Sequence, residues 1–349
     1  MKSFKSRVVY AAAHVVADPL ADNTPGRPAA VDWEATLRFR RHLWSHGFRV
    51  ADAMDTAQRN AGLDWAATRE LIRLSAAEAP GLVACGAGTD QLTGPHDLAG
   101  VLDAYLEQIA TVQEAGAGVI IMASRQLAAL ARHPEDYHTV YGRLLAEVDR
   151  PAILHWLGEM FDPNLAGYWG SADIEKATAE FLTLVRENAG RIEGVKVSLL
   201  DEDHEIALRA ALPEGVRLYT GDDFNYPSLI KSGSHALLGI FDAIAPAASA
   251  ALTALDDGDL AAYDRIMAPT VDLSRKIFEA PTFHYKTGLV FLAWLNGHQD
   301  AFVMINGAQA ARSLPHLIEV HRLAERAGLI ADPDLAAARL RSLKAVYGR

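Results

Sequence analysis

The 349-residue chain is 50% hydrophobic and 22% charged, which is enough apolar material for one large domain or two ordinary ones. Its formal net charge of -11 argues against nucleic acid or an anionic membrane surface as the main partner, because both would repel it. Cys85 is the only cysteine, which excludes an intrachain disulfide and a cysteine zinc cluster and fits a reducing compartment.

The first apolar segment, Val8 to Ala13, follows basic residues and loosely resembles a secretory signal. His14 interrupts this segment, and no leucine-rich stretch follows it. No part of the sequence reaches the roughly 20 apolar residues that would span a bilayer. We therefore expect a cytoplasmic protein that has no membrane partner.

Short apolar runs alternate along the chain with stretches whose apolar residues recur at helical spacing. The apolar runs are Arg7 to Val16, Phe48 to Ala53, Gly81 to Cys85, Gly118 to Met122, Ala152 to Leu157, Gly194 to Val197, Val216 to Thr220 and Ala236 to Ile240. The helical stretches between them are Trp33 to His46, Trp65 to Glu78, Gly100 to Glu114, Tyr137 to Val148, Ala172 to Asn188 and Glu205 to Ala211. Continuous apolar strands joined by helices predict a parallel sheet covered on both faces. Eight such units favour an α/β fold of the closed (β/α)8 TIM-barrel type over an open doubly wound sheet.

After Pro246 the pattern is helical only. The predicted helices there are Leu260 to Glu279, Thr282 to Leu295, Pro315 to Ala327 and Pro333 to Tyr347. We therefore expect a barrel over residues 1–255 and a C-terminal helical extension, residues 256–349, packed on it. Asp32, Asp64 and Ser171 stand where they could cap the helices that follow them.

Lys196 is a single cation at the end of the sixth predicted strand. An ordinary lysine with a pKa of about 10.4 is neutral in only about one in 2,500 molecules at pH 7, so a nucleophilic amine needs a pKa about three units lower. An apolar barrel interior can lower the pKa that far by dehydrating the amine, which can then attack a carbonyl. The alternative is that Lys196 pairs with Asp201 or Glu202, or extends to the rim.

Several polar residues follow the predicted strands, where a parallel barrel carries its active face. They are His14 and Asp18, Asp55 and Thr56, Ser124 and Arg125, His155 and Trp156, and Asp222 and Asp223. The two last aspartates either accept hydrogen bonds from substrate hydroxyls or cap the next helix. The acidic run Asp201 to Glu205 is predicted to be a solvated helix start, which the helix dipole favours.

The order and spacing of these segments resemble the dihydrodipicolinate synthase and N-acetylneuraminate lyase family of class I aldolases, over roughly residues 7 to 330. Gly194-Val195-Lys196 resembles the family's Gly-Ile/Val-Lys element, which carries the Schiff-base lysine on strand six. Pro151 to Trp156 takes the place of its Pro-hydrophobic-hydrophobic-Leu-Tyr-Asn element, and Tyr219-Thr220-Gly221-Asp222-Asp223 resembles its Ser-Gly-Asp-Asp element. Gly239 to Pro246 resembles the segment after strand eight.

Three departures from the family pattern concern the substrate. His155 replaces the tyrosine that relays protons, and a histidine can also transfer protons near neutral pH. Asp55 to Arg59 replaces the Gly-Thr-Thr-Gly-Glu loop that holds a carboxylate, and Asp55 would repel one. Met160 stands where family members that make dihydrodipicolinate have an arginine. We therefore do not expect dihydrodipicolinate synthase activity.

The resemblance implies a lyase, aldolase or dehydratase that forms a Schiff base with a small 2-oxo acid or sugar-derived carbonyl compound and needs no cofactor. The catalytic residues would be Lys196, His155 and Thr56. The substrate-binding residues would be Asp55, Ser124, Trp156, Gly221, Asp222 and Asp223. The resemblance also implies a homodimer or homotetramer.

Two other interpretations remain open. His14, Asp18, His155, Asp222 and Asp223 could instead hold a divalent metal for a metal-dependent aldolase or hydrolase. The chain could also be a barrel that binds a small molecule without catalysis, because a fold does not guarantee chemistry.

Overall fold

The computed structural model describes residues 3–348, which form a (β/α)8 TIM barrel with a helical C-terminal region. Eight parallel strands close the barrel in sequence order. The strands are β1 Val9–Ala12, β2 Arg49–Asp52, β3 Val83–Ala87, β4 Gly118–Ile121, β5 Ala152–Leu157, β6 Ile192–Ser198, β7 Arg217–Thr220 and β8 His235–Leu238. Each predicted apolar run overlaps one of these strands, so the predicted fold class is confirmed.

Helices cover the strands and make up the C-terminal region. They are α1 Trp33–Ser45, α2 Trp65–Glu78, α3 Leu98–Glu114, α4 Arg125–Leu130, α5 Pro134–Glu147, α6 Ile174–Glu187, α7 Glu202–Ala211, α8 Tyr226–Ser232, α9 Phe241–Asp256, α10 Leu260–Ile277, α11 Tyr285–Leu295, α12 Leu314–Arg326 and α13 Pro333–Val346. The sequence pattern does not predict α4 and α8, because helices of 6 and 7 residues are too short for a clear period. Pro246 lies inside α9, after a kink at Ile244, and does not mark the start of the helical region.

The chain divides into two compact units. One comprises the chain up to Val50, Asp55–Leu63 and the chain from Leu238 onward. The other comprises Ala51–Met54 and Asp64–Leu237, and it contains the sheet from β3 to β7. The predicted boundary at residue 255 stays a prediction.

Two of the three predicted helix caps are confirmed. The carboxylates of Asp32 and Asp64 accept hydrogen bonds from the backbone amides of the third residues of α1 and α2. The third prediction is wrong, because α6 begins two residues later than expected. Asp173 caps α6, whereas the Ser171 hydroxyl accepts a hydrogen bond from the Asp173 amide.

Candidate active site

Lys196 lies on the inner face of the barrel wall and is 5% exposed. In the parallel ladder it pairs with His155 of β5 and Tyr219 of β7, so the three side chains share one face of the sheet. Thr220, the next residue along β7, points to the other face, where its hydroxyl donates to Glu205 of α7 at 2.9 Å. The face that carries Lys196 therefore points away from the covering helices.

Gly221 gives the lysine side chain room to pass. A Cβ atom at this position would lie 2.9 Å from Lys196 Cε, 2.1 Å from Ser198 Oγ and 2.7 Å from the Val197 carbonyl oxygen. The Gly221 amide donates to that same carbonyl at 2.7 Å, which holds the backbone in place. The lysine stem thus reaches the ends of β6 and β7 only because residue 221 has no side chain.

His155 is fully buried beside the lysine. Its Nε2 atom lies 3.4 Å from Ser198 Oγ, and Ser198 is two residues after Lys196 on the same face of β6. The hydroxyl of the neighbouring Tyr219 donates a hydrogen bond to Glu193 Oε1 at 2.6 Å and not to His155 or Ser198. The histidine and the serine therefore lie within hydrogen-bond distance of each other next to the lysine. Sequence reasoning missed Ser198, although the two-residue period of a strand could have found it.

Asp222 holds the turn after β7. Its Oδ1 atom accepts hydrogen bonds from the backbone amides of Phe224 and Asn225, and its Oδ2 atom accepts one from Asn225 Nδ2 at 2.9 Å. Burial raises the pKa of this carboxyl group. These bonds stabilise the turn that precedes α8, and no side chain caps α8 itself, so the prediction that Asp222 caps this helix is wrong. Contact with substrate hydroxyls stays a prediction. Asp223 is also buried, at 4% exposure.

The acidic run after β6 is only partly the solvated helix start that the sequence predicts. Asp201 caps α7 by accepting from the His204 amide, and Asp203 is exposed. Glu205 departs from the prediction because it is 1% exposed and accepts hydrogen bonds from the Thr220 and Ser234 hydroxyls. Burial raises the pKa of the Glu205 carboxyl to about 8.

Trp156 and Ser124 lie apart from this arrangement. Trp156 pairs with Val197 on the helix-facing side of the wall and packs edge-on against Trp169 and Phe181. The structure therefore does not place Trp156 on the lysine face, because successive strand residues alternate between the two faces. Ser124 caps α4 by accepting from the Leu127 amide, and its hydroxyl lies 2.6 Å from Thr89 Oγ1.

Asp55 and Thr56 belong to the other compact unit, where both contact Tyr285 of α11. The Tyr285 hydroxyl donates to Asp55 Oδ2 at 2.7 Å and lies 2.8 Å from Thr56 Oγ1. Because the phenol has one hydrogen and gives it to Asp55, the Thr56 hydroxyl donates to Tyr285. The next residue, Lys286, is 6% exposed, and its Nζ atom lies 4.4 Å from the centre of the Tyr285 ring. No sequence pattern indicates this contact, although Tyr285 lies near the start of the predicted helix Thr282 to Leu295.

The residues proposed for a metal site have other partners. His14 Nδ1 lies 2.8 Å from Asp242 Oδ2 and its Nε2 lies 3.2 Å from Gln299 Oε1, and Asp18 accepts from the Leu20 amide. Within residues 3–348, no three or more histidine, cysteine, aspartate or glutamate side chains are grouped so that they could hold a metal ion. The metal-dependent alternative therefore has no support in the geometry.

The fold is similar to that of several solved structures. YagE, a prophage protein of the dihydrodipicolinic acid synthase family from E. coli K12 solved with pyruvate, matches with a TM-score of 0.74 and 14% identity over 93% of this chain and 99% of its own. Dihydrodipicolinate synthase from Aquifex aeolicus matches with a TM-score of 0.71 and 15% identity over 93% of this chain and 99% of its own. The chloride-inhibited dihydrodipicolinate synthase from Acinetobacter baumannii, complexed with pyruvate, matches with a TM-score of 0.69 and 16% identity over 93% of this chain and 100% of its own. At this identity the similarity concerns the fold, and at that level the predicted resemblance is confirmed.

No helix in residues 3–348 is both long and apolar enough to cross a membrane.

Sequence comparisons give the family. Among these comparisons, no curated protein matches this chain. The family described as "Protein of unknown function (DUF993)" matches residues 1–349. The chain therefore belongs to the DUF993 family, with the barrel fold of dihydrodipicolinate synthases.

Proposed function

We propose that this protein is a Schiff-base lyase, of the aldolase or dehydratase type, whose nucleophile is Lys196. One observation carries the proposal: Lys196 is buried on the inner face of the barrel wall, in register with His155, and its stem rests on Gly221. Burial favours the neutral amine of a lysine over its charged form, and the neutral amine is the form that attacks carbonyl groups. The barrel fold shared with the dihydrodipicolinate synthases agrees with this chemistry.

The proposed reaction starts when the Lys196 amine attacks a substrate carbonyl carbon. A carbon-nitrogen bond forms, water leaves, and a protonated imine results. In cleavage, this cation takes up the electron pair of the neighbouring carbon-carbon bond as that bond breaks. In dehydration, it takes up the electron pair of a neighbouring carbon-hydrogen bond whose proton goes to a base, and the resulting enamine expels a protonated hydroxyl group as water. His155 and Ser198, 3.4 Å apart, would carry the protons that these steps release and consume.

The other predicted site residues take narrower roles in this proposal. Gly221 makes space for the lysine, and Asp222 shapes the turn that holds Gly221. Roles for Thr56 and Asp55 in orienting the substrate stay predictions, as do a cytoplasmic location and a homodimer or homotetramer. Light scattering on the purified protein would test the oligomeric state.

Borohydride trapping tests the proposal. The protein is incubated with a panel of 2-oxo acids, aldehydes and ketones, borohydride is added, and the reduced adduct is located by peptide mass spectrometry. We expect an adduct on Lys196 that is lost in Lys196→Ala and kept in Lys231→Ala, a matched change at an exposed lysine. Failure of the whole panel to label Lys196 would refute the proposal. Saturable binding without an adduct would favour the non-catalytic barrel.

A further inference from the structure

A cavity of about 260 Å³ lies behind the β5–β6 wall, on the side that helices α6 and α7 cover. Ala177 of α6 and His204 of α7 line it together with Trp156, which is on the helix-facing side of β5. Among the residues that the structure describes, those that form the lysine face do not line this cavity. The cavity is therefore a space separate from the candidate active site.

Much of the lining of this cavity is apolar. The aliphatic and thioether side chains that contribute to it are Leu157, Met160, Leu165, Ile174 and Leu199. An engineered apolar cavity of about 150 Å³ is large enough to hold benzene. This larger cavity therefore has room for a phenyl ring with a short chain attached to it.

The charged groups of the cavity are acidic. Glu159 and Asp201 line it, and both residues are exposed to solvent. The part of the chain that the structure describes contributes no lysine or arginine to the lining. A cation that enters the cavity would be attracted by two carboxylates, whereas an anion would be repelled by them.

The beginnings of α6 and α7 do not reverse this preference. A helix N-terminus attracts anions through its unsatisfied amides and its dipole. At α6, the Asp173 carboxylate already accepts hydrogen bonds from the amides of Glu175 and Lys176. At α7, the Asp201 carboxylate accepts one from the His204 amide. Each helix thus begins with a carboxylate that offsets the positive end of its dipole.

His204 brings a hydrogen-bond acceptor, and no positive charge, to the lining. The Thr178 hydroxyl donates to the Ile174 carbonyl at 2.6 Å, so His204 Nε2 donates to Thr178 Oγ1, which lies 2.8 Å away. Burial lowers the pKa of His204, which favours the neutral ring. The Nδ1 atom then carries a lone pair, and within residues 3–348 it is buried without a hydrogen-bond partner. A ligand with N–H groups would supply the donor that this wall lacks.

We propose that this cavity is a second ligand-binding site of the protein, and that it takes small organic cations. The ligand has an apolar body about the size of a phenyl ring and a primary ammonium group. The apolar side chains hold the body, and the carboxylates of Glu159 and Asp201 attract the ammonium group. This site does not depend on the chemistry proposed for Lys196.

Three compounds that differ in one group test the choice of ligand. 2-Phenylethylamine, 2-phenylethanol and 3-phenylpropanoate carry an ammonium, a hydroxyl and a carboxylate group on the same phenylethyl body. Isothermal titration calorimetry at pH 7 and low salt gives the Kd of each. We expect the Kd of the amine to be at least about tenfold lower than that of the carboxylate, with the alcohol between them. Equal Kd values for the amine and the carboxylate, or no binding of any compound at millimolar concentration, would overturn the inference.

A pair of variants on α6 places the binding in the cavity. Ala177 lines the cavity and is 1% exposed, so Ala177→Phe should fill the space and raise the Kd of the amine at least about tenfold. Ala179→Phe is the matched control, because Ala179 is exposed on the same helix and does not line the cavity. Its Kd should equal that of the native protein. The same Kd in the two variants would contradict the inference.

Removal of the two carboxylates tests the charge preference without adding bulk. Glu159→Gln combined with Asp201→Asn should reduce the tenfold preference for the amine over the carboxylate to about threefold or less. Asparagine caps a helix about as well as aspartate, so α7 should keep its start. The control combines Glu135→Gln with Asp103→Asn, two exposed acids outside the cavity. A preference that is unchanged in the first double variant would show that these carboxylates do not select the ligand, and would refute the inference.

Lys196→Ala separates this site from the proposed lyase. 2-Phenylethylamine has no carbonyl group and cannot form an imine with a lysine, so its Kd should be the same in this variant and in the native protein. Loss of amine binding in Lys196→Ala would place the amine at the lysine and overturn the inference. Amine binding that is kept, together with no borohydride adduct from any carbonyl compound, would support the cavity and reject the lyase.

Discussion

Glu205→Gln should make the protein more stable relative to the native chain as the pH rises. The native carboxyl has a pKa of about 8, raised by burial from 4.5, so the folded protein holds a proton that the unfolded chain releases between these values. Stability therefore falls as the pH rises through this window. Between pH 5 and pH 7 the native protein should lose about 2–3 kcal/mol from this group, at about 1.4 kcal/mol per pH unit. Glutamine has the shape of the protonated acid and cannot lose a proton.

Denaturant unfolding at pH 5, 6, 7 and 8 measures the difference between the variant and the native protein at each pH. Subtracting the two curves removes every other titrating group. Asp203→Asn is the control, because Asp203 lies in the same first turn of α7 but is exposed. Its difference from the native protein should not change with pH. A Glu205→Gln difference that is also constant from pH 5 to pH 8 would refute the argument that this carboxyl is held protonated by burial.

Three further changes have defined outcomes. Gly221→Ala should lower the yield of borohydride adduct at least about a hundredfold, since its methyl would collide with the lysine stem and the neighbouring hydroxyl; Gly190→Ala, where a Cβ meets no atom within 4 Å, should not. Burial lowers the pKa of His42 and of His298 to about 4, below the ordinary 6.5, so stability should fall as the pH drops from 6.5 to 4. Replacing both histidines with phenylalanine should reduce the loss in free energy of unfolding at pH 5 by about 1–2 kcal/mol per site, measured by urea unfolding. An unchanged fall in stability between pH 6.5 and pH 4 would contradict the lowered pKa values. Tyr285→Phe should cost about 1–3 kcal/mol in the same assay, because the buried Thr56 hydroxyl and the half-buried Asp55 carboxylate each lose a hydrogen-bond partner.

The barrel can be predicted from sequence because its signal is repeated and local. Each strand is a short buried run, as in Ala152–Leu157, where all six residues are buried, and each run is followed by a helical stretch. The helix Trp65–Glu78 has the predicted bounds for the same reason: a capping aspartate precedes it and apolar residues recur through it. The short helices α4 and α8 could not be predicted, because neither has enough turns for its apolar residues to show a helical period.

The site is only partly predictable, because side-chain partners come from distant parts of the chain. Lys196 and His155 could be predicted because each is a polar residue in an apolar predicted strand. The parallel register then pairs the two residues. No local pattern indicates that a tyrosine 229 residues after Thr56 contacts it. Burial of a charged residue is equally hidden from local sequence, because Glu205 is covered by partners from β7 and from the segment after α8.

The two faces of β7 connect the stability network to the proposed chemistry. Thr220 faces outward and donates to Glu205, and its hydroxyl oxygen also accepts from the Asp222 amide at 3.2 Å. Gly221 lies between these two residues and supports the lysine stem on the inner face. A change at Glu205 that moved Thr220 would therefore move Gly221, and the lysine tolerates little movement there, since a methyl group alone would not fit. Glutamine has one acceptor oxygen, which Thr220 keeps when the amide nitrogen faces Ser234, so Glu205→Gln should alter the pH dependence of stability while leaving the borohydride adduct on Lys196 intact. If Glu205→Gln lost both the pH dependence of stability and the adduct, the carboxyl group itself would be needed to hold the turn next to Lys196, and a neutral group of the same shape would not be enough.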